Sequence, residues 1–549
     1  MNSALTTRRK FIIPASIGLA STSVFWFAIS VSALPACVVP PELKTRLQSK
    51  PTAQARADIG EWFAERKQFD CAAESFERAS QLQPTSVSFA YLWGLSLSSA
   101  GRNAEALAPL QHASTLDPGD IRPHLSLAAA LDHMKRTVDA EAEWRKALAI
   151  DADSAIALDG LSRDLIDQKD YTGVVSLLDK PATDRQRSPQ QSLNLGIAFA
   201  ATARLEDAAR VLREGLNTNP DSLPIADELA VVLMLLSRVE EAYAVFDLAL
   251  EKHPDDQGTQ TLYLNTLVSS HSDRAPQYAQ KLLAVYPKNW EVLYFNGIIA
   301  FAEGDFQRSR ELAAQSVALN PNYAQSQRLL GSTLARLDNL TEARHHLERA
   351  IELGDNQPDV HYELSKVFQR MGDAGHAQQQ LKAYQQIKTA QSGKSQAAGK
   401  AEVGDQEMKA GDAAKAVALY REALESDPEE PFLHYKLAKA LEKTNDIAGE
   451  KSALERAIQL KPDLPEAQNQ MGYLDARGGD PQKAEMHFRA ALQASPSYVV
   501  AWVNLAATLA SEAKWQDAKQ ALARALEIDP DNAQARKLNE ALAAQGIGP

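Results

Sequence analysis

Residues 392–395 read Ser-Gly-Lys-Ser, which are residue types that bind nucleotide phosphates. A phosphate-binding loop of this kind needs a second glycine five positions before Gly393, and a strand that leads into the loop. Lys388 stands where that glycine would be, and no strand pattern precedes it. We therefore expect no nucleotide site here, and we predict no cofactor for the chain.

The histidines do not have the spacing of metal ligands. His345 and His346 are adjacent, so on a helix they point to different faces, whereas a helical metal pair needs a spacing of three or four residues. The patterns HExxH, CxxC and GxSxG are absent from the sequence. These observations predict neither a metal centre nor a catalytic residue, and we expect a protein that is not an enzyme.

The first 33 residues have the features of an export signal. Arg8, Arg9 and Lys10 precede an uncharged stretch, 11–33, that ends in small residues suited to a signal peptidase. The same stretch is about long enough to cross a bilayer, so retention as a membrane anchor is an alternative to cleavage. The paired arginines also resemble a twin-arginine motif, which would imply export of a folded protein. Residues 34–52 are interpreted as a linker.

Cys37 follows Leu34-Pro35-Ala36, which resembles the box before a lipidated bacterial cysteine, although proline departs from the usual small residue. Cys71 is the only other cysteine. In an oxidising compartment the two could pair, although two cysteines do not make a disulfide framework. The sequence leaves lipidation and a disulfide open for Cys37, whereas Cys71 is interpreted as a small apolar residue of the core.

Composition limits the classes of partner. The chain has a formal net charge of -13, with 45% hydrophobic and 23% charged residues. This composition is typical of a soluble globular chain, and its negative charge argues against non-specific binding of nucleic acid. We expect membrane association only through an uncleaved N-terminal segment or a lipidated Cys37.

Proline recurs through the chain with a period of 34 residues, at intervals of 34 with a single interval of 33 between neighbouring frames. These prolines are Pro84, Pro118, Pro220, Pro254, Pro287, Pro321, Pro428, Pro462, Pro496 and Pro530. Three periods separate Pro118 from Pro220, so fourteen frames can be laid out.

Each frame also repeats small and apolar residues at fixed positions. Counted from Ala53, the first frame has Gly60 at position eight, an alanine at position twenty, Phe76 at position twenty-four and Ala79 at position twenty-seven. Small residues at positions eight and twenty allow two antiparallel helices to approach closely, and the apolar residues fill the space between them. Proline then begins the turn into the next frame.

In this pattern the chain resembles the tetratricopeptide repeat (TPR) family over about residues 53–545. The resemblance implies an all-α fold, a right-handed α-solenoid of stacked antiparallel helix pairs, in which the first helix of each pair lines a concave groove for peptides or partner proteins. The pattern is weak around Pro181, where we expect a short second helix, and in the frame that ends at Pro287, which lacks one residue.

Spacing divides the repeats into two arrays. About ten frames, some degenerate, occupy residues 53–387, and about four occupy residues 401–530. Residues 388–400 add about five residues to the period and lack an apolar face, so they are interpreted as a hinge or surface loop. A capping helix and tail are expected over residues 531–549.

By analogy with the family, positions two, five, six, nine and twelve of each first helix face the groove. A tyrosine offers flat contact area with a polar tip, and an asparagine can hydrogen-bond a bound backbone. The candidate groove contacts are the tyrosines at position five and the asparagines at position six: Tyr91, Asn194, Tyr294, Tyr362, Tyr435 and Asn504.

Together these features predict an exported, non-catalytic scaffold of a bacterial cell envelope that binds other proteins or peptides in a superhelical groove. Two alternatives remain. The chain could be an envelope polysaccharide-biogenesis or secretion factor, or it could be the regulatory arm of a glycosyltransferase-type enzyme complex.

Overall fold

The computed structural model describes residues 37–179, 187–529 and 532–544, and these residues form 29 α-helices. The first ten are α1 (Pro41–Ser49), α2 (Ala53–Glu65), α3 (Phe69–Leu82), α4 (Val87–Ser99), α5 (Asn103–Leu116), α6 (Ile121–His133), α7 (Thr137–Ile150), α8 (Ala155–Asp167), α9 (Tyr171–Leu178) and α10 (Pro189–Ala201). The next ten are α11 (Leu205–Thr218), α12 (Leu223–Leu235), α13 (Val239–Lys252), α14 (Gln257–Ser269), α15 (Ala275–Val285), α16 (Trp290–Ala302), α17 (Phe306–Leu319), α18 (Ala324–Arg336), α19 (Leu340–Glu352) and α20 (Pro358–Arg370). The last nine are α21 (Ala374–Ala410), α22 (Ala413–Ser426), α23 (Pro431–Lys443), α24 (Ile447–Leu460), α25 (Pro465–Arg477), α26 (Pro481–Ala494), α27 (Val499–Ser511), α28 (Trp515–Ile528) and α29 (Ala533–Ala544).

The described residues form two compact units. The N-terminal unit contains residues 37–179, 187–202, 497–507, 514–529 and 532–544. The central unit contains residues 203–496 and 508–513. Within each unit, successive helices pack against one another along the chain, so the predicted all-α array of helix pairs is confirmed.

A left-handed residue marks the turn between the two helices of each frame. In the first turn, Lys67 has φ 57°, and the amide of Gln68 donates to the carbonyl of Phe63 at 3.0 Å. This bond satisfies one of the carbonyls that the end of α2 leaves free. The equivalent residues are Lys67, Gly101, Lys135, Lys169, Ala203, Ser237, His271, Gly304, Asp338, Gly372, Gly411, Asn445, Gly479 and Ala513. They follow the 34-residue period of the sequence, with one interval of 33 and one of 39.

The small residue at position eight lies where the two helices of a pair come closest. A Cβ atom added at Gly60 would lie 2.8 Å from the ring of Phe76, and one added at Gly472 would lie 2.8 Å from the ring of Phe488. Real Cβ atoms do not approach other atoms this closely, so a larger residue would push the helices apart. The predicted packing role of these glycines is therefore confirmed.

The frame around Pro181 has a short second helix, as expected, and the frame that ends at Pro287 also has one. α9 has 8 residues and α15 has 11, whereas most second helices have 14. Pro181 itself lies outside the described residues.

The segment 388–400 is helical, which corrects the expectation of a loop there. It lies inside α21, which runs without interruption for 37 residues and joins the second helix of one frame to the first helix of the next. Alanine, glutamine and lysine favour helix, and no proline interrupts them, so the backbone continues even without an apolar face. The extra residues of this frame therefore lengthen a helix.

Residues 37–52 also differ from the expected linker, because they contain α1. Val39, Leu43 and Leu47 pack against the core of the first repeat, which includes Ile59 and Phe63. The expected signal, residues 1–33, lies outside the described residues. At the other end α29 occupies most of the predicted capping segment, with Ala535 fully buried and Leu542 nearly so. No helix in the described part of the chain has the length and hydropathy needed to span a membrane.

Candidate functional site

Two of the six predicted groove residues are buried. Asn194 is 2% exposed, and its amide donates to Ser162 Oγ at 2.8 Å, so this side chain joins α10 to α8. Tyr294 is 8% exposed, and its ring centroid lies 5.3 Å from that of Tyr323. Both side chains contact neighbouring helices rather than solvent in this structure.

The other four residues reach the surface to different degrees. Tyr91 is half-buried in the N-terminal unit, with the Arg122 guanidinium 5.1 Å from its ring centroid. Asn504 on α27 is also half-buried. In the central unit Tyr435 is half-buried, and Tyr362 is 38% exposed. Tyr362 is therefore the most accessible of the predicted contacts.

Large aromatic side chains are exposed on first helices of the central unit. Tyr362 on α20, Phe432 on α23 and Tyr473 on α25 are 38%, 41% and 40% exposed. Phe432 lies beside Tyr435, with 5.9 Å between ring centroids. We call Tyr362, Phe432, Tyr435 and Tyr473 the aromatic row. Rings of this kind bury large apolar areas when a partner covers them.

Phe432 and Tyr473 were not among the predicted contacts. They occupy positions two and nine of their frames, which also face the groove in the family. The prediction considered tyrosines and asparagines at positions five and six alone. The signal that finds these two residues is a large aromatic at any of the five groove positions.

Cations lie next to several of these rings. Lys366 Nζ is 4.0 Å from the ring centroid of Tyr362, and the Arg477 guanidinium is 5.7 Å from that of Tyr473. A cation over an aromatic face is held by the quadrupole of the ring. The surface therefore presents flat apolar area together with positive charge, a combination that binds polypeptides with acidic or aromatic side chains.

Three tyrosines of the central unit that are buried or half-buried keep their protons. Burial raises the pKa of Tyr435 to about 12, and it also raises the pKa of Tyr294 and Tyr323. The Arg328 side chain, close to Tyr294, donates to Asp355 Oδ2 at 2.7 Å. Since these phenols remain neutral, they can donate hydrogen bonds across the physiological pH range.

Two acidic side chains occupy groove positions on the first helix α12. Asp227 and Glu228 stand at positions five and six of their frame, and Thr259 Oγ1 donates to Asp227 Oδ2 at 3.1 Å. Burial raises the pKa of Asp227 to about 6 and also raises the pKa of Glu228. The groove positions of α12 are therefore acidic, whereas Lys366 gives position nine of α20 a positive charge.

The patterns considered for nucleotide and metal binding fall on helices. Residues 392–395 lie within α21, where the backbone amides bond to carbonyls of the preceding turn and cannot surround a phosphate. His346 Nδ1 lies 2.7 Å from Gln327 Oε1, and His345 is exposed. Among the residues that the structure describes, no group of three or more side chains is arranged to hold a metal ion.

Cys37 and Cys71 form a disulfide. It ties the start of the described chain to α3, and α1 lies in the 34-residue interval between the two cysteines. Since the Cys37 sulfur is in the disulfide, it carries no lipid in this structure. Of the two alternatives for this cysteine, the structure contains the disulfide.

Three curated proteins illustrate what the chain is similar to. It is 28% identical over 183 residues to a TPR repeat-containing protein of Pseudomonas aeruginosa, which covers 32% of this chain and 31% of that protein. It is 26% identical over 207 residues to the type IV pilus assembly protein PilF of the same species, covering 37% and 81%. It is 28% identical over 292 residues to cellulose synthase operon protein C of Xanthomonas axonopodis pv. citri, covering 51% and 18%. The match therefore spans about a third of the first relative and less than a fifth of the third.

Family models match along most of the repeat region. Models described as tetratricopeptide repeat match residues 192–257, 267–324, 296–361, 433–464 and 476–542, and one described as TPR repeat matches residues 404–445. Together these segments cover more than half of the chain. With the 34-residue period and the stacked helix pairs, they show that the chain belongs to the tetratricopeptide repeat family.

Proposed function

We propose that this protein is an exported scaffold that binds polypeptide segments along the first-helix face of its central unit. The observation that carries the proposal is the aromatic row, whose Tyr362, Phe432 and Tyr473 are each about two-fifths exposed. Repeat proteins of this family act as scaffolds for other proteins. Exposed aromatic rings with adjacent cations are the usual high-affinity anchors of protein interfaces.

Binding to the aromatic row can be tested with a double variant. Phe432→Ala with Tyr473→Ala removes two anchors from exposed positions, so the fold should be retained. Truncation of a hot-spot aromatic weakens binding by about 1–2 kcal/mol, so the pair should lower the affinity for captured proteins by at least about tenfold. Met486→Ala serves as the control, because Met486 is 56% exposed on the second helix α26.

The measurement is a pull-down from envelope extract with chain that lacks residues 1–33, followed by affinity determination for each recovered protein. Equal affinities for the double variant and the Met486→Ala control would refute the aromatic row as the binding surface. Recovery of no protein at all would refute the scaffold role.

Export is proposed from two features of the chain. The N-terminal 33 residues have the pattern of an export signal, and a disulfide such as Cys37–Cys71 is typical of an oxidising compartment. Similarity to proteins named for pilus assembly and for a cellulose synthase operon supports a place in the bacterial envelope. Thiol trapping of the full chain in cells should find both cysteines oxidised. A chain without residues 1–33 should carry reduced cysteines, and an equally reduced full chain would refute export to an oxidising compartment.

A second candidate is a role in envelope polysaccharide biogenesis, favoured by the similarity to cellulose synthase operon protein C over 51% of this chain. The flat rings of the aromatic row could also stack on sugars. A glycan array probed with the chain and with the double variant separates the two candidates. Binding of a polysaccharide that the double variant loses would favour this role over polypeptide binding.

A further inference from the structure

Leu381 on α21 is exposed at a position that is buried in the other frames. It occupies position twenty-four of its frame, and its exposure is 38%. The corresponding residues of the twelve full-length frames, from Phe76 in the first to Leu522 in the last, are at most 7% exposed. Position twenty-four is normally covered both by the first helix of its own frame and by the next repeat, which brings Gly160 against Trp144. At Leu381 that cover is incomplete.

Position twenty-seven of the same frame departs in the same way. It holds Tyr384, which is half-buried, whereas the residues before and after it in the array, Ala350 and Ala423, are fully buried. A tyrosine does not fit the space that an alanine fills at this position, but it suits a surface that a partner can cover. Two positions in one frame therefore indicate that the stack is open at this point.

The cause of the opening is the continuous helix α21. The hydrophobic core that contains Leu364 and Phe368 includes α21 residues only up to Ala377, and the next core takes up the helix again at Ala397. In other frames a turn after the second helix lets the next first helix fold back and cover positions twenty-four and twenty-seven. Here the chain continues as helix instead.

The uncovered residues form a compact apolar surface. The ring centroids of Tyr362 and Tyr384 are 5.1 Å apart, with 33° between their planes, and Leu381 lies one turn before Tyr384 on the same helix. We call Tyr362, Leu381 and Tyr384 the open face. In other frames the first helix of the next frame covers this position, but here that helix is the C-terminal part of α21 and leaves the open face uncovered. A helix is therefore the element that fits it.

Lysine side chains from both helices lie beside the rings of the open face. Lys366 Nζ lies 4.0 Å from the Tyr362 ring centroid, and Lys388 Nζ donates to Tyr384 Oη at 3.0 Å. Residues 374–401 contain four lysines and no acidic residue, although the whole chain has a net charge of -13. The acidic groups nearby on α20 are Asp359, which is exposed, and Glu363, which lies 3.6 Å from Lys366 and 3.7 Å from Arg336. The excess of lysine favours an acidic partner.

We propose that the open face binds an amphipathic helix of another protein, which takes the place that the next first helix has in other frames. The apolar stripe of that helix covers Leu381 and the two tyrosine rings, and its carboxylates pair with Lys366 and Lys388. This is the helix-in-groove mode of recognition. The proposal rests on the scaffold role, but it does not depend on Phe432 or Tyr473.

Site-specific photocrosslinking in cells tests the proposal on the full chain. p-Benzoylphenylalanine replaces Leu381 in one version and, as the control, Leu319 in another, since Leu319 is 49% exposed on the second helix α17. The crosslinked segment is mapped by mass spectrometry. We expect position 381 to capture a segment of a different protein that has apolar residues at helical spacing and an excess of acids.

A variant measures the specificity of this contact. Leu381→Asp should reduce crosslinking from a probe at position 384 at least tenfold, while leaving the thermal midpoint of the chain within a few degrees, because Leu381 is already partly exposed. Leu319→Asp should leave that crosslinking unchanged. Capture of only a second copy, of only this chain's own residues, or of a non-helical or basic segment would overturn the proposal. Equal crosslinking from positions 381 and 319 would overturn it as well.

The outcome is independent of the test of the aromatic row. If crosslinking at position 381 persists while Phe432→Ala with Tyr473→Ala has no effect on binding, the aromatic row is refuted and the open face stands. If the double variant loses binding but position 381 captures no acidic helix, the open face is refuted and the aromatic row stands.

Discussion

Asp164 on α8 should make the stability of the N-terminal unit depend on pH. Its side chain is 4% exposed, and Trp144 Nε1 donates to its Oδ2 at 3.1 Å. Burial, together with the neighbouring charge of Asp132, raises the pKa of Asp164 from 3.8 to about 8. The folded protein therefore holds a proton at this carboxyl that the unfolded chain has released at neutral pH.

The sign of the effect follows from this proton. The contribution of the neutral carboxyl to stability is complete below pH 3.8 and is lost as pH rises through about 8. Each pKa unit is worth about 1.4 kcal/mol, so the interval from pH 5 to 8 corresponds to at most about 4 kcal/mol. Local hydration reduces this limit, and we expect a loss of about 2–4 kcal/mol over that interval.

Asp164→Asn replaces the titrating carboxyl with an amide that does not titrate and has nearly the same size and shape. The amide oxygen can still accept from Trp144, and the amide nitrogen can donate to Asp132, as the protonated carboxyl does. The variant should therefore lose less stability than the natural protein between pH 5 and 9. Its free energy of unfolding should exceed that of the natural protein at pH 9 by about 2 kcal/mol or more.

Urea unfolding at pH 5, 7 and 9, with hydrogen exchange across α6–α8 as the local readout, measures the effect. Asp167→Asn is the matched control, because Asp167 is exposed on the same helix. The reasoning is refuted if the natural protein and Asp164→Asn show the same pH dependence, or if Asp167→Asn removes the dependence equally well.

Three further substitutions test the fold. Ala484→Phe should destabilise the chain by about 1–3 kcal/mol in urea unfolding, because Ala484 is fully buried where α25 and α26 meet. Cys71→Ser should lower the stability of the first repeat by about 3–4 kcal/mol, since the disulfide closes an interval of 34 residues; proteolysis of α1 and α2 is the measurement. Ala390→Pro should cost about 3 kcal/mol in the unfolding of the central unit, because Ala390 lies inside α21.

Each of these predictions has a clear contrary result. Unchanged melting of Ala484→Phe would contradict the assignment of the frames, and an unaltered proteolysis rate for Cys71→Ser would contradict the anchoring of α1. Full stability of Ala390→Pro would show that residues 388–400 form a loop after all. Ala390→Gly at the same exposed position is the milder control, expected to cost about 1 kcal/mol, because glycine lowers helix propensity but keeps the backbone amide.

The period of the sequence predicts most of the fold because each repeat packs mainly on its neighbours. Small residues at positions eight and twenty, such as the glycine opposite Phe76, are local requirements, and they recur in most frames. The left-handed residues between paired helices keep the same spacing, including the shorter interval from His271 to Gly304. Local rules repeated along the chain are therefore enough to place the helix pairs.

The candidate site is less predictable because exposure depends on contacts between frames. Tyr294 and Tyr362 share position five, yet Tyr294 is covered by Tyr323 and Phe295, whereas Tyr362 is exposed. The position alone does not distinguish them, because Tyr323, which covers Tyr294, comes from the turn before the first helix of the next frame. A prediction made frame by frame cannot include that neighbour.

The absence of an apolar face in residues 388–400 predicts a loop, yet the segment is helical. A repeat helix needs an apolar stripe because neighbouring helices cover it, but a stretch of helix between two hydrophobic cores needs only favourable backbone propensity. Gly393 adds a local reason for its composition, since a Cβ atom there would collide with the carbonyl oxygen of Ser426. The polar composition that argued for a loop thus marks the place where the stack opens. The uncovered Leu381 and Tyr384 just before it are the consequence of that opening, so the same irregularity in the period explains both the long helix and the surface proposed to receive a partner.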